Sequence, residues 1–163
     1  MAETVLGAIA DARIKTGMLK SERWALVVTD QRLLAARISD DVVKMIAEQA
    51  RAQAKAAGSG FMGQWGAQLK ASFALGQRYC AMTPEAILAE TPGNWALWPG
   101  QVGSIKVERK SRGAGGDTDA TEDYLRITIE AAGGKGAYET TDDKPGQREV
   151  QALFARTFGP IVR

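Results

Sequence analysis

Hydrophobic and polar positions divide this chain into a β-patterned block, a helical block and a second β-patterned block. Trp24-Ala-Leu-Val-Val-Thr29 is a short apolar run bounded by charges, and Arg32 to Ile38 is a second. Thr29-Asp30-Gln31 between them suits a hairpin turn, with the Asp30 carboxylate placed to accept from nearby backbone N–H groups. Upstream, Val5 to Lys15 reads as a first strand closed by Thr16-Gly17. Helix is the competing reading there, because its apolar residues alternate poorly with polar ones.

Ser39-Asp40-Asp41 opens the helical block. The serine can cap free backbone N–H groups, and both aspartates suit the positive end of the helix dipole. Val43, Ile46, Ala47, Ala50, Ala54 and Ala57 recur at three- and four-residue steps as one apolar stripe, and Gly58-Ser59-Gly60 ends the helix. Phe61, Trp65, Leu69 and Phe73 follow at a strict four-residue step and predict a second helix over 61–79, folded back on the first. Thr83-Pro84-Glu85 starts a third, with a capping threonine and a proline where no bond is lost. Pro92-Gly93 ends it.

From Asn94 the β pattern returns, with strands expected at Trp95–Trp98, Val102–Arg109, Tyr124–Glu130 and Gly136–Thr140. Ile105, Val107, Leu125, Ile127 and Ile129 alternate with polar residues, the period of a half-buried sheet. Ser111 to Asp123 reads as a polar, glycine-rich loop. Pro145 to Phe158 reads as a closing helix with Val150, Leu153, Phe154 and Phe158 on one face.

The whole therefore predicts an α+β domain over 1–163: an antiparallel barrel or strongly bent sheet from 4–38 and 94–140, capped by the last helix. The block 39–93 is a helical insertion. Leu26-Val-Val-Thr-Asp-Gln-Arg-Leu-Leu34 resembles the strand–turn–strand pattern L-x-x-T-x-x-R-L of the pleckstrin-homology-like superfold, especially its GRAM and bacterial branches. Trp98 to Val107 is similar to their polar connector followed by a strand, and the C-terminal amphipathic helix is the third element. These cover about half the chain, and those domains carry only a short link where 39–93 stands here. The resemblance implies a non-enzymatic module that binds lipid headgroups, peptides or proteins, or scaffolds an assembly. Fold alone does not choose among these.

Composition narrows the chemistry. The 163 residues suit one hydrophobic core. There is no histidine, so Ser–His–Asp and Cys–His catalysis and His-ligated zinc or haem are excluded. The single Cys80 forms no intramolecular disulfide, builds no zinc knuckle, and reads as a packing residue. It fits a reducing, cytoplasmic setting. The N-terminus does not read as a signal peptide, and the longest uncharged stretches are too short and polar to span a bilayer. Net charge is +2, with basic against acidic residues six to four in 1–38, five to five in 39–94 and ten to ten in 95–163. That even spread argues against a nucleic-acid binder.

Motif matches dissolve on inspection. Gly58 to Gly63 matches G-x-G-x-x-G, but a helix precedes it and Arg78 stands where an acidic ribose partner belongs, so no dinucleotide cofactor is expected. Asp117, Asp119, Glu122 and Asp123 lack the central glycine and distal glutamate of a calcium loop, and no metal is expected. Asp142-Asp143 reads as a turn before Pro145. Two features remain. The Phe61, Trp65, Leu69 and Phe73 stripe is either core or a contact surface for a protein partner, a second copy or a membrane. Lys106, Arg109, Lys110 and Arg112 form a basic cluster, interrupted by Glu108, that suits anionic lipid headgroups. Protein interaction or assembly is the leading expectation, and peripheral lipid binding is the alternative.

Overall fold

The computed structural model describes residues 2–56, 74–113, 119–141 and 145–163, with the side chains of Ala50, Gln53, Ala54 and Ala56 outside that description. The elements are β1 (Val5–Lys15), β2 (Ser21–Thr29), β3 (Leu33–Arg37), α1 (Asp40–Ala56), α2 (74–81 as described), α3 (Pro84–Glu90) and β4 (Trp95–Leu97). A 3-10 turn, Pro99–Gln101, then leads into β5 (Val102–Gly113), β6 (Thr121–Ala131), β7 (Gly134–Glu139) and α4 (Gln147–Phe158). The fold is α+β, built on a seven-stranded antiparallel sheet in the order β4-β3-β2-β1-β7-β6-β5.

Of the expected barrel or strongly bent sheet, a closed barrel is not formed, because β4 and β5 are the two edges and do not pair. The sheet nevertheless curls. β4 ends at Leu97 and β5 begins at Val102, so the two edges are joined by four residues, a reach of roughly 17 Å at full extension. A flat seven-stranded sheet would hold its edges roughly 28 Å apart at ordinary strand spacing. One hydrophobic core fills the concave face, drawing on Trp24, Leu26 and Leu33 from one half, Ile105, Leu125 and Ile127 from the other, and Val150, Phe154 and Phe158 of α4. Gly7 admits this close packing, since a Cβ there would come within 2.9 Å of the Leu153 Cδ1.

A bulge in β1 assists the curl. The register on β2 shifts between Ile9 and Ala12, and Asp11 takes φ 59°, the left-handed region that aspartate tolerates better than most residues. Its carboxylate accepts from Arg23 Nε at 2.6 Å and from Thr141 Oγ1 at 3.1 Å.

The free edge of β5 is partly occupied. The Val107 N–H donates to the Arg163 carbonyl and the Arg163 N–H to the Ile105 carbonyl, both at 2.9 Å. The Gln147 amide donates to the Val107 carbonyl at 3.0 Å. These bonds cover part of a strand edge that could otherwise pair with another chain.

The convex face of β2 and β3 is also buried. Ala25, Val27, Leu34 and Ala36 meet Val42 and Ile46 of α1, Leu75 and Tyr79 of α2, and Ile87 of α3 in a second core. The expected caps are present: Val42 N–H donates to Ser39 Oγ at 3.3 Å, and Ala86 N–H to Thr83 Oγ1 at 3.2 Å. The contact face of α1 differs from expectation. Val42 is buried and Val43 exposed, while Ile46 packs against the second core as expected. The descriptions of Ala57 and the Gly58 to Gly63 segment lie outside the described residues. So do Asp142-Asp143 and most of the expected 61–79 helix, of which 74–79 are helical.

The Ser111 to Asp123 loop is shorter than expected. β5 extends to Gly113 and β6 starts at Thr121, paired as far as Gly113 with Thr121. Backbone pairing carries both strands past the point where apolar alternation ends. Among the described residues, no helix is long and apolar enough to cross a membrane.

Candidate functional site

The basic cluster sits on β5, and strand geometry divides it. Successive side chains of a strand point to opposite faces. Lys106, Lys110 and Arg112 therefore share the convex face with Glu108, while Arg109 shares the other face with Ile105 and Val107. Its Cα partner is Leu125, a core residue. The four cations do not form one patch.

Each also meets a carboxylate. Lys106 and Lys110 both reach Glu108 Oε1, at 3.0 Å and 3.3 Å. Arg109 pairs with Asp123, which also accepts from the Ser111 hydroxyl. Arg112 lies 3.7 Å from Glu122, with its guanidinium 4.8 Å from the centre of the Tyr124 ring. The Lys106 hydrogen bond, seconded by Lys110, holds the Glu108 carboxyl below its usual pKa. The Ser111 and Arg109 hydrogen bonds do the same for Asp123. Glu122 and Asp123, part of the acidic motif, thus serve as ladder partners on β6.

These pairs extend a longer pattern. Arg13 of β1 stands opposite Glu139 of β7, which stands opposite Arg126 of β6, which stands opposite Glu108 of β5. Arg126 donates to Glu139 at 2.7 Å, and that bond raises the guanidinium pKa. Alternating charges therefore cross four strands on the convex face, the favourable arrangement of opposite-charge cross-strand pairs. A single anion entering here competes with carboxylates already in place.

Phe61, Trp65, Leu69 and Phe73 lie outside the described residues. The described chain resumes in α2. α2 is tied to α3 by the Arg78–Glu90 ion pair and by Tyr79, whose hydroxyl donates to Glu90 Oε2 at 3.0 Å. Burial, then Glu90, raises the Tyr79 pKa. α3 is anchored by Asn94, whose Nδ2 donates to the Ile87 carbonyl at 2.7 Å and whose Oδ1 accepts from the Arg37 N–H at 2.8 Å. Cys80 on α2 is exposed rather than packed as expected. Partial burial of its thiol still raises its pKa, the reverse of an activated cysteine.

The turn after β2 works differently from the expectation for Asp30. Thr29, fully buried, supplies the acceptor: the N–H groups of Gln31 and Arg32 donate to its Oγ1 at 3.1 Å and 2.9 Å. Asp30 instead accepts from the Thr4 N–H at 2.9 Å, fastening the start of β1. Thr29 also donates to Glu3 Oε1 at 2.6 Å, and Glu3 pairs with Arg32 at 2.8 Å. Arg32 in turn lies 4.8 Å from the centre of the Trp98 ring. The β2–β3 turn is thus knit to the N-terminus and to the β4–β5 connection.

No family model matches the chain, and no curated protein and no solved structure matches it either.

Proposed function

We propose that this chain is a non-enzymatic pleckstrin-homology-like module with a helical insertion, acting in the cytoplasm in protein interaction or assembly. The strand order, the four-residue link between the sheet edges and the C-terminal helix on the concave face support the superfold. The observation that carries the function is the way α1 is held. Among its described side chains, those in the second core are Val42 and Ile46, both near its start. Further along, Glu48, Gln49, Arg51, Ala52 and Lys55 are exposed. Seventeen residues make a rod of roughly 26 Å. An isolated helix of that length is marginal in water, so its far end needs packing partners. Phe61, Trp65, Leu69 and Phe73 follow in sequence and are the apolar residues assigned in this reading to a second copy or another protein. The alternative, lipid binding through Lys106, Arg109, Lys110 and Arg112, draws less support because those cations are divided between faces and matched by carboxylates.

Sedimentation equilibrium tests the proposal. Wild type is expected to self-associate, and Trp65→Ala to shift it toward monomer with an unchanged sheet signature in circular dichroism. A wild type that stays monomeric at high concentration and retains no protein from lysate in a pulldown would overturn it.

A further inference from the structure

The β1–β2 connection carries an exposed apolar pair that its own fold leaves uncovered. Met18 is 100% exposed and Leu19 is 99% exposed. The loop itself is closed, since the Thr16 N–H donates to the Lys20 carbonyl at 3.0 Å. A connection that only reversed the chain would use small polar residues, as Thr29-Asp30-Gln31 does after β2. Lys15 and Lys20 flank the pair, both exposed and without an ion-pair partner among the described residues.

A groove lies at the same end of the sheet. Residues 100–103 and 130–132 line it around a volume of about 330 Å³ that opens to solvent. It sits where β5 begins and β6 ends, and antiparallel pairing through β7 brings the Lys15 end of β1 to that same end. Its lining is small, with Gly100, Gly103, Ala131 and Ala132 beside Val102. The fold itself does not ask for glycine at 100 or 103. Neither takes a positive φ. A Cβ at Gly100 would meet nothing within 4 Å, and one at Gly103 would make only ordinary contact with the Glu130 carbonyl at 3.6 Å. What glycine provides at both positions is open space.

One carboxylate marks the rim. Lys135 reaches Glu130 Oε1 at 2.9 Å, and the Ser104 hydroxyl donates to Oε2 at 3.2 Å. Lys135, then Ser104, and Arg163 at longer range hold this carboxyl below its usual pKa, so it stays ionised. An exposed carboxylate can take a second ammonium, as Glu108 does with Lys106 and Lys110.

We propose that the Met18-Leu19 tip of one copy seats in this groove of a second copy. The apolar pair covers the small-residue lining, and the flanking ammonium groups meet the Glu130 carboxylate. Tip and groove share one end of the sheet, so a two-fold axis lets each copy fill the other's groove and closes the assembly at a dimer. Two contacts of this size make a reversible dimer, at the low end of specific interfaces. This surface is separate from Phe61, Trp65, Leu69 and Phe73, and it goes beyond the role proposed for them.

Sedimentation equilibrium of the full chain tests the dimer. Wild type is expected to associate. Met18→Ser with Leu19→Ser should weaken association by at least about hundredfold, because one buried side chain lost at each of two contacts squares a roughly tenfold ratio. Gly103→Leu, which fills the groove from its lining, should weaken it as strongly, with Gly100→Leu as the substitute if its thermal midpoint falls. An equimolar mixture of the tip and groove variants should associate more tightly than either alone, since the intact groove of one meets the intact tip of the other. Lys15→Ser with Lys20→Ser should weaken association and flatten its salt dependence. The inference is overturned if wild type is monomeric at every concentration, if the tip variant associates like wild type, or if the mixture is no tighter than its components. Should Trp65→Ala abolish association while the tip variant behaves as wild type, this inference fails and the proposed function stands. The opposite pattern supports the tip and counts against Trp65.

Discussion

The two halves of the sheet share one concave core but differ on their convex faces. In β2 every position from Trp24 to Thr29 is buried, since α4 lies under one face and the insertion over the other. In β6 the buried Leu125, Ile127 and Ile129 alternate with the half-exposed Arg126 and Thr128, because that half has only α4 beneath it. One half therefore reads as an unbroken apolar run and the other, from Leu125 to Ile129, as alternation, the expected difference between strands covered on two faces and on one, while Tyr124 on the convex face is buried under Arg112. The insertion completes the packing of the first half, and the second half solves the same exposure with a neutral row of ion pairs.

Paired truncations sharpen that contrast most. Leu34→Ala removes a fully buried side chain from the convex face of β3 and should cost about 2–5 kcal/mol in urea denaturation. Thr128→Ala, on the convex face of β6, should stay within about 0.5 kcal/mol. Equal costs would break the distinction between the halves.

The β2–β3 turn gives a smaller effect. Thr29→Val leaves the N–H groups of Gln31 and Arg32 without their acceptor and should cost about 1–3 kcal/mol by thermal unfolding. Asp30→Ala loses the bond from Thr4 and should cost about 1 kcal/mol. If Asp30→Ala proves the more damaging, the roles given to these neighbours are reversed.

Much of this architecture is legible in the amino-acid pattern. The Ser39 and Thr83 caps, the break at Gly93, the β1–β2–β3 meander and the alternation of β5 and β6 all follow from local chemistry. What escapes depends on distant parts of the chain. Closing a barrel needs β4 and β5 to pair, and no local pattern encodes the gap between them. The anchoring of Asn94 and the Glu3–Thr29–Arg32 network join residues far apart in sequence. Two further signals are local. The unbroken run Trp24–Val28 marks burial on both faces, and the period of two sets Arg109 apart from Lys106, Lys110 and Arg112. The Phe61, Trp65, Leu69 and Phe73 stripe shows the limit of such patterns, since helical spacing does not say what covers it.

Titration should distinguish the concave core from the convex row, with the smallest effects. Burial, then Glu22, raises the Tyr138 pKa from 10.0 to about 12. A raised pKa contributes stability that is fully present below pH 10 and is lost as pH rises through about 12. Urea midpoints should therefore fall across that window, and less so in Tyr138→Phe. Glu108 and Asp123 are shifted the other way. Their contribution is present above the usual carboxylate range and is lost as pH falls through their lowered values. A side-chain NMR titration showing ordinary pKa values for both would remove the ion-pair row from the account.

The central claim is that the insertion lies on the convex face of the first half while the same face of the second half meets solvent. Thiol labelling of native protein tests it most directly, with Val27→Cys and Lys106→Cys compared in a Cys80→Ser background. Val27 is fully buried and Lys106 is exposed. The thiol at position 106 should react as fast as in unfolded protein, and the one at position 27 only as fast as the protein opens. Equally rapid labelling at both positions in folded protein would mean that the convex face of β2 is open, contradicting the account.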